Sequence, residues 1–86
     1  MKEIRLTQGQ KALVDDEDYD NLIQYMWFAR RADNTYYAHN RKLGDMHRFL
    51  LSTPDGQEVD HKDFNGLNNQ RSNIRNCSKS QNNANR

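Results

Sequence analysis

The chain has 86 residues, of which 34% are hydrophobic, with a mean hydropathy of −1.25 and a formal net charge of +1. A chain this short and polar has material for one small domain with a thin core, and no stretch approaches the roughly 20 apolar residues of a membrane span. Cys77 is the only cysteine, which excludes an internal disulfide and a multi-cysteine zinc site and fits a reducing, cytoplasmic compartment. The first nine residues, MKEIRLTQG, contain no apolar run that could serve as a secretion signal.

The charge is unevenly spread. Residues 1–20 carry three basic and six acidic side chains, residues 21–60 five of each, and residues 61–86 five basic and one acidic. Local fields matter more than totals for binding polyanions, so the C-terminal third is the expected cationic face.

In chain order, KEIRL and KALVD predict strands near 2–6 and 11–14, joined by a turn at Gly9. The acidic run Asp15–Asp20 opens a segment in which Tyr19, Leu22, Ile23 and Met26 recur at helical spacing. This predicts an amphipathic helix over 16–25 whose acidic start complements the helix dipole. WFARRA and TYYAHNRKL flank Asp33-Asn34 as a hairpin, with Trp27, Phe28, Tyr36 and Tyr37 as core or half-buried residues. MHRFLLSTPDG predicts about one helical turn that ends at Pro54 and a turn at Asp55-Gly56.

Residues 61–86 hold eight asparagines, yet Val59, Phe64, Leu67 and Ile74 are spaced through this end of the chain. Disordered polar segments lack such apolar positions, so a folded, loop-rich unit is expected. EVDH reads as a strand, KDFNGLNNQRS as a long loop with Gly66 at a positive φ, NIRN as a second strand and SKSQNNANR as a helix entered at Ser78.

The order VDH, NG, LNNQRSNIRN and SQNNANR resembles the HNH nuclease motif of the ββα-metal (His-Me finger) class, particularly its phage-type and homing-type members. The resemblance runs from about Met46 to Arg86 and includes HRFLL as a lead-in. It implies an α+β fold in which residues 1–45 form an N-terminal portion of β-hairpins and a short helix, and residues 46–86 the finger, together a single domain. It also implies roles: His61 as general base, Asn73 as the central asparagine that bonds across the loop and orients the base, and Asp60 and Asn82 as ligands of one divalent metal ion.

The chemistry of those residue types is compatible with the implied roles. Phosphodiester hydrolysis needs a base for water and a cation for the charge on phosphate and leaving oxygen, and an imidazole has an intrinsic pKa near neutrality. A carboxylate with an amide oxygen forms a sparse oxygen site suited to Mg²⁺, with Mn²⁺ as the alternative. Neighbouring strand residues point to opposite faces, so Asp60 and His61 can act together only if the backbone bends or the metal lies to one side. Lys62, Arg71, Arg75, Lys79 and Arg86 are the candidate phosphate contacts, Arg71 and Arg75 foremost, and Arg30, Arg31 and Arg41 are candidates for base contacts. His47 reads as a core residue or a neighbour of the active site, and Asn65, Asn68, Asn69, Asn83 and Asn85 as partners of loop and helix-end backbone.

The expected function is a metal-dependent endonuclease on double-stranded DNA. It would nick one strand per event, leave 5′-phosphate and 3′-hydroxyl ends, and require a dimer or a second encounter to cut both strands. The alternatives are a non-catalytic DNA-binding module with the same fold, a protein-interaction domain using the acidic helix, and, because the sequence ends four residues after Asn82, a fragment of a larger nuclease.

Overall fold

In a computed structural model that describes residues 1–32 and 34–78, Lys2–Arg5 (β1) and Lys11–Val14 (β2) pair antiparallel, with Ile4 opposite Ala12. Ile4, Ala12 and Val14 are buried, as strand alternation requires of one face. The turn between them is fastened to the next sheet. Thr7 Oγ1 accepts the N–H of Ala29 at 2.9 Å, and Gln8 Nε2 donates to the Ala29 carbonyl at 3.1 Å.

The predicted helix is shorter than its apolar spacing suggested. It spans Asp16–Leu22 (α1), and of the four periodic residues Leu22 is buried and Tyr19 packs on the core, whereas Ile23 is 48% and Met26 82% exposed. The buried Trp27 donates its indole N–H to the Leu22 carbonyl at 2.8 Å. That carbonyl, at the helix end, also accepts the Tyr25 N–H at 3.1 Å, and the chain leaves the helix there. Asp15 sits at the N-cap position but its side chain makes no capping bond. The acidic first turn still complements the helix dipole.

Phe28–Ala32 (β3), Thr35–Asn40 (β4) and Gly44–Asp45 (β5) form an antiparallel sheet in the order β3-β4-β5. Asn40 shapes the β4–β5 turn: its Oδ1 accepts the N–H groups of Lys42 and Leu43, and its Nδ2 donates to the Met26 carbonyl. Met46–Leu51 (α2) follows, closing at Ser52 in a left-handed conformation.

Gln57–His61 (β6) and Ile74–Ser78 (β7) make the last hairpin, with Asp60 opposite Arg75 and His61 opposite Ile74. The second strand runs through Ser78, where a helix was expected to begin. The rest of that predicted helix, with Lys79, Asn82, Asn83, Asn85 and Arg86, lies outside the described residues. The architecture is α+β, with small antiparallel sheets and few helices. One core cluster draws Ile4, Ala12, Val14, Leu22, Trp27, Ala38, Met46, Leu50, Leu67 and Ile74 together. No helix among the described residues is long and apolar enough to cross a membrane.

The loop between β6 and β7 is pinned rather than loose. Leu13 in β2 donates its N–H to the Leu67 carbonyl at 2.8 Å and accepts the Asn69 N–H at 2.7 Å. Of the spaced apolar residues, Leu67 and Ile74 are buried and Val59 packs against the core, but Phe64 is 86% exposed. The positive φ expected at Gly66 falls instead on Phe64, at +62°. Gly66 is required for a different reason: a Cβ there would collide with the Tyr36 carbonyl oxygen and lie 2.6 Å from two Tyr37 ring carbons. Its N–H also donates to Thr35 Oγ1 at 3.0 Å. Overpacking of this kind costs about 1–3 kcal/mol, so Gly66→Ala should lower the urea midpoint accordingly.

Candidate functional site

His61 closes β6 with its side chain turned inward. Its ring lies against Tyr37, centroid to centroid 5.8 Å, and meets the edge of His47 at 4.9 Å and 80°. Nε2 of His61 stands 2.9 Å from Oδ1 of Asn69, a fully buried side chain. A carbonyl oxygen can only accept, so with Oδ1 facing the ring this contact calls for a proton on Nε2 of the neutral imidazole. Asn69 was expected to serve loop backbone; its side chain instead contacts the histidine. Asn65 and Asn68 do serve the loop, accepting the N–H groups of Leu67 and Gln70 through their side-chain oxygens.

Asn73, immediately before β7, laces the loop together. Its Oδ1 accepts the Asp63 N–H at 3.2 Å, and its Nδ2 donates to Asp63 Oδ1 and to the Asn68 carbonyl, both at 2.9 Å. Its own carbonyl accepts the Lys62 N–H at 2.8 Å. Both residues that follow His61 are thus tied to the opposite end of the loop, which restrains the backbone that carries the imidazole. Burial acts to raise the pKa of Asp63, but the amide donors of Asn68, Asn65 and Asn73 outweigh it and hold the carboxyl below its ordinary value.

Asp60 points away from His61, as alternation along the strand requires. Its Oδ2 accepts from Nε of Arg75, its cross-strand partner, at 3.1 Å. The carboxylate is half-buried and paired with Arg75; as an oxygen donor its chemistry suits a hard metal ion, which would compete with that guanidinium. Asn82, the second ligand that the resemblance implies, lies outside the described residues. Among those residues no cluster of three or more His, Cys, Asp or Glu side chains that could hold a metal ion is present.

The cations of this region are differently engaged. Arg71 makes a two-pronged contact with Asp18 in α1, Nε to Oδ2 and Nη2 to Oδ1 at 2.9 Å each. Those hydrogen bonds are the main cause of the rise in its pKa. Arg71 therefore ties the loop to the acidic helix, a tie that sequence spacing of 53 residues could not show. Lys62 is exposed and in no ion pair among the described residues. In the central sheet Arg30 pairs with Asp45 at 3.1 Å and lies over the Tyr37 ring, while Arg31 and Arg41 are exposed.

Asp45 also meets His39 Nδ1 at 3.0 Å and lies 3.9 Å from His47 Nε2. Burial acts to raise its pKa, but hydrogen bonds from His39 and Arg30, together with the charge of His47, lower it overall. His47 is buried beside His61 and is pushed down to about 4, first by desolvation and then by the charge of His61, against the pull of Asp45. Both neighbours of His61, Asn69 and His47, were weakly legible. Burial at Leu67 and Asn69 on either side of the half-buried Asn68 is a period-two signal that an asparagine-rich run conceals.

Residues 52–84 match the family model described as HNH endonuclease. Neither curated proteins nor solved structures give a significant match to the chain. The matched stretch contains β6, the pinned loop and β7, hence His61, Asn69 and Asn73 together. Over residues 52–84 this chain is similar to the HNH endonuclease family.

Proposed function

We propose that the protein is a metal-dependent DNA endonuclease in which His61 is the general base. The observation that carries this reading is the buried His61–Asn69 contact at 2.9 Å within the matched segment. It supports an imidazole held by one nitrogen, with the other nitrogen's lone pair available for a proton. In this reading Nδ1 takes a proton from water as the oxygen attacks the scissile phosphate in line. Asn73 keeps the loop, and with it the base, in register.

Asp60 and Asn82 would hold one divalent ion, Mg²⁺ or Mn²⁺. When bound, it supplies neutralisation of charge on the phosphate and on the departing 3′ oxygen. Products then carry 5′-phosphate and 3′-hydroxyl ends. One base and one ion act on one strand, so nicking is the elementary event. Lys62 and Arg75, with Lys79 and Arg86, are assigned to phosphate contacts; Arg75 would leave or share Asp60, and Arg71 would join only by giving up Asp18.

A supercoiled-plasmid assay tests the reading. Conversion to open circle is expected with Mg²⁺ or Mn²⁺ and is abolished by EDTA. Plasmid that is shifted on a gel but never nicked, under either ion, would overturn catalysis and leave a DNA-binding module.

A further inference from the structure

The HNH match begins at residue 52, yet the hydrogen bond that orients His61 depends on a strand far upstream of it. Asn69 is held at the main chain by Leu13: its N–H donates to the Leu13 carbonyl at 2.7 Å, and Leu13 N–H donates to the Leu67 carbonyl at 2.8 Å. This is an added parallel bridge on the edge of β2, and it leaves the Asn69 side chain little choice of direction. The side chain is fully buried, and its Nδ2 has no partner among the described residues. A buried amide that leaves its donor unpaired carries a cost, and its one polar contact is Oδ1 with Nε2 of His61.

We infer that Asn69, set by β2 of the N-terminal hairpin, is the positioning residue that fixes His61 in the Nε2–H tautomer and so presents Nδ1 as the base. The inference rests on the nuclease reading for its catalytic consequence, but the tautomer itself is a property of the folded chain with or without activity. A ring nitrogen's role is set by the hydrogen bond that the other nitrogen makes. Without Asn69 the two neutral tautomers interconvert, and the proton occupies Nδ1 part of the time. The opposite amide orientation would present Nδ2 to the ring, make Nε2 the acceptor and put the proton on Nδ1. The two arrangements therefore predict opposite spectra.

The decisive measurement is long-range ¹H–¹⁵N correlation NMR of His61 in the wild-type chain, at a pH high enough for neutral imidazole. A pyrrole-type Nε2 and a pyridine-type Nδ1 are expected; the reverse pattern overturns the inference and needs no mutant to do so. Asn69→Leu, close in size but with no acceptor, should mix the tautomers and lower the kcat of nicking about 10–100-fold at unchanged KM, the range typical of residues that orient a functional ligand. Asn69→Asp keeps an oxygen acceptor and should recover most of that rate. An Asn69→Leu chain that folds, keeps the Nε2–H tautomer and keeps its kcat would sink the inference. A wild type that shows the expected tautomer but never nicks would instead refute the nuclease reading and leave the positioning role intact.

Discussion

His61→Ala should lower the rate of plasmid nicking by about 10²–10⁴-fold, the usual contribution of a positioned general base. The same variant should bind plasmid in EDTA as tightly as the wild type, because duplex affinity comes mainly from phosphate contacts by cations and His61 is buried. A rate within about threefold of wild type would remove His61 from the chemistry, since a base that carries protons contributes far more than that. The substitution also leaves the buried Asn69 Oδ1 without its partner, at a cost of about 1–3 kcal/mol. The comparison is therefore made at a temperature where circular dichroism shows both chains folded. A variant that nicks poorly and also fails to bind would point to a collapsed loop, and His61→Gln, which keeps a polar side chain at the same place, separates the two cases.

The two C-terminal strands, expected at EVDH and NIRN, were legible as short runs on either side of a polar, glycine-containing loop, and the sheet pairs them with His61 opposite Ile74. The hairpins of the N-terminal portion were likewise legible as short runs on either side of a turn. What sequence spacing could not supply was contact across distance. Arg71 stands among asparagines and reads as a phosphate ligand, but the fold brings it 2.9 Å from Asp18. Gly66 reads as a turn residue, but its absent side chain makes room for the Tyr37 ring. Met26 falls on the apolar stripe of the predicted helix yet is 82% exposed, because the helix stops at Leu22, whose carbonyl accepts the Tyr25 N–H and the Trp27 indole. Each correction arises from tertiary packing that overrides a local preference. The asparagines show the limit most clearly. Asn68, Asn69 and Asn73 are one residue type in one loop, and only their burial and partners distinguish a turn former, a histidine partner and a loop brace.

Mild acid should weaken this fold, and His47 is the reason. Its imidazole is buried and is held down to about 4, by desolvation first and the charge of His61 second, with Arg48 and Arg30 adding to the effect and Asp45 opposing it; Tyr37 faces it through a ring contact alone. In the unfolded chain the same group titrates near the ordinary histidine value of about 6.5. Between those two values the unfolded chain binds the extra proton, so stability falls as pH drops through that window and, as far as His47 is concerned, is level above it. The full difference is on the order of 3 kcal/mol, a large fraction of what a chain of this size commands. The carboxyls of Asp45 and Asp63 are held below their ordinary value, so their contribution is lost only at lower pH. Urea midpoints measured near neutrality and again just above the folded value isolate the histidine. His47→Phe, which keeps an aromatic ring against Tyr37 and His61 while removing the titrating nitrogens, should flatten the wild-type slope across this window. A variant that loses as much stability as the wild type would assign the acid sensitivity to another group.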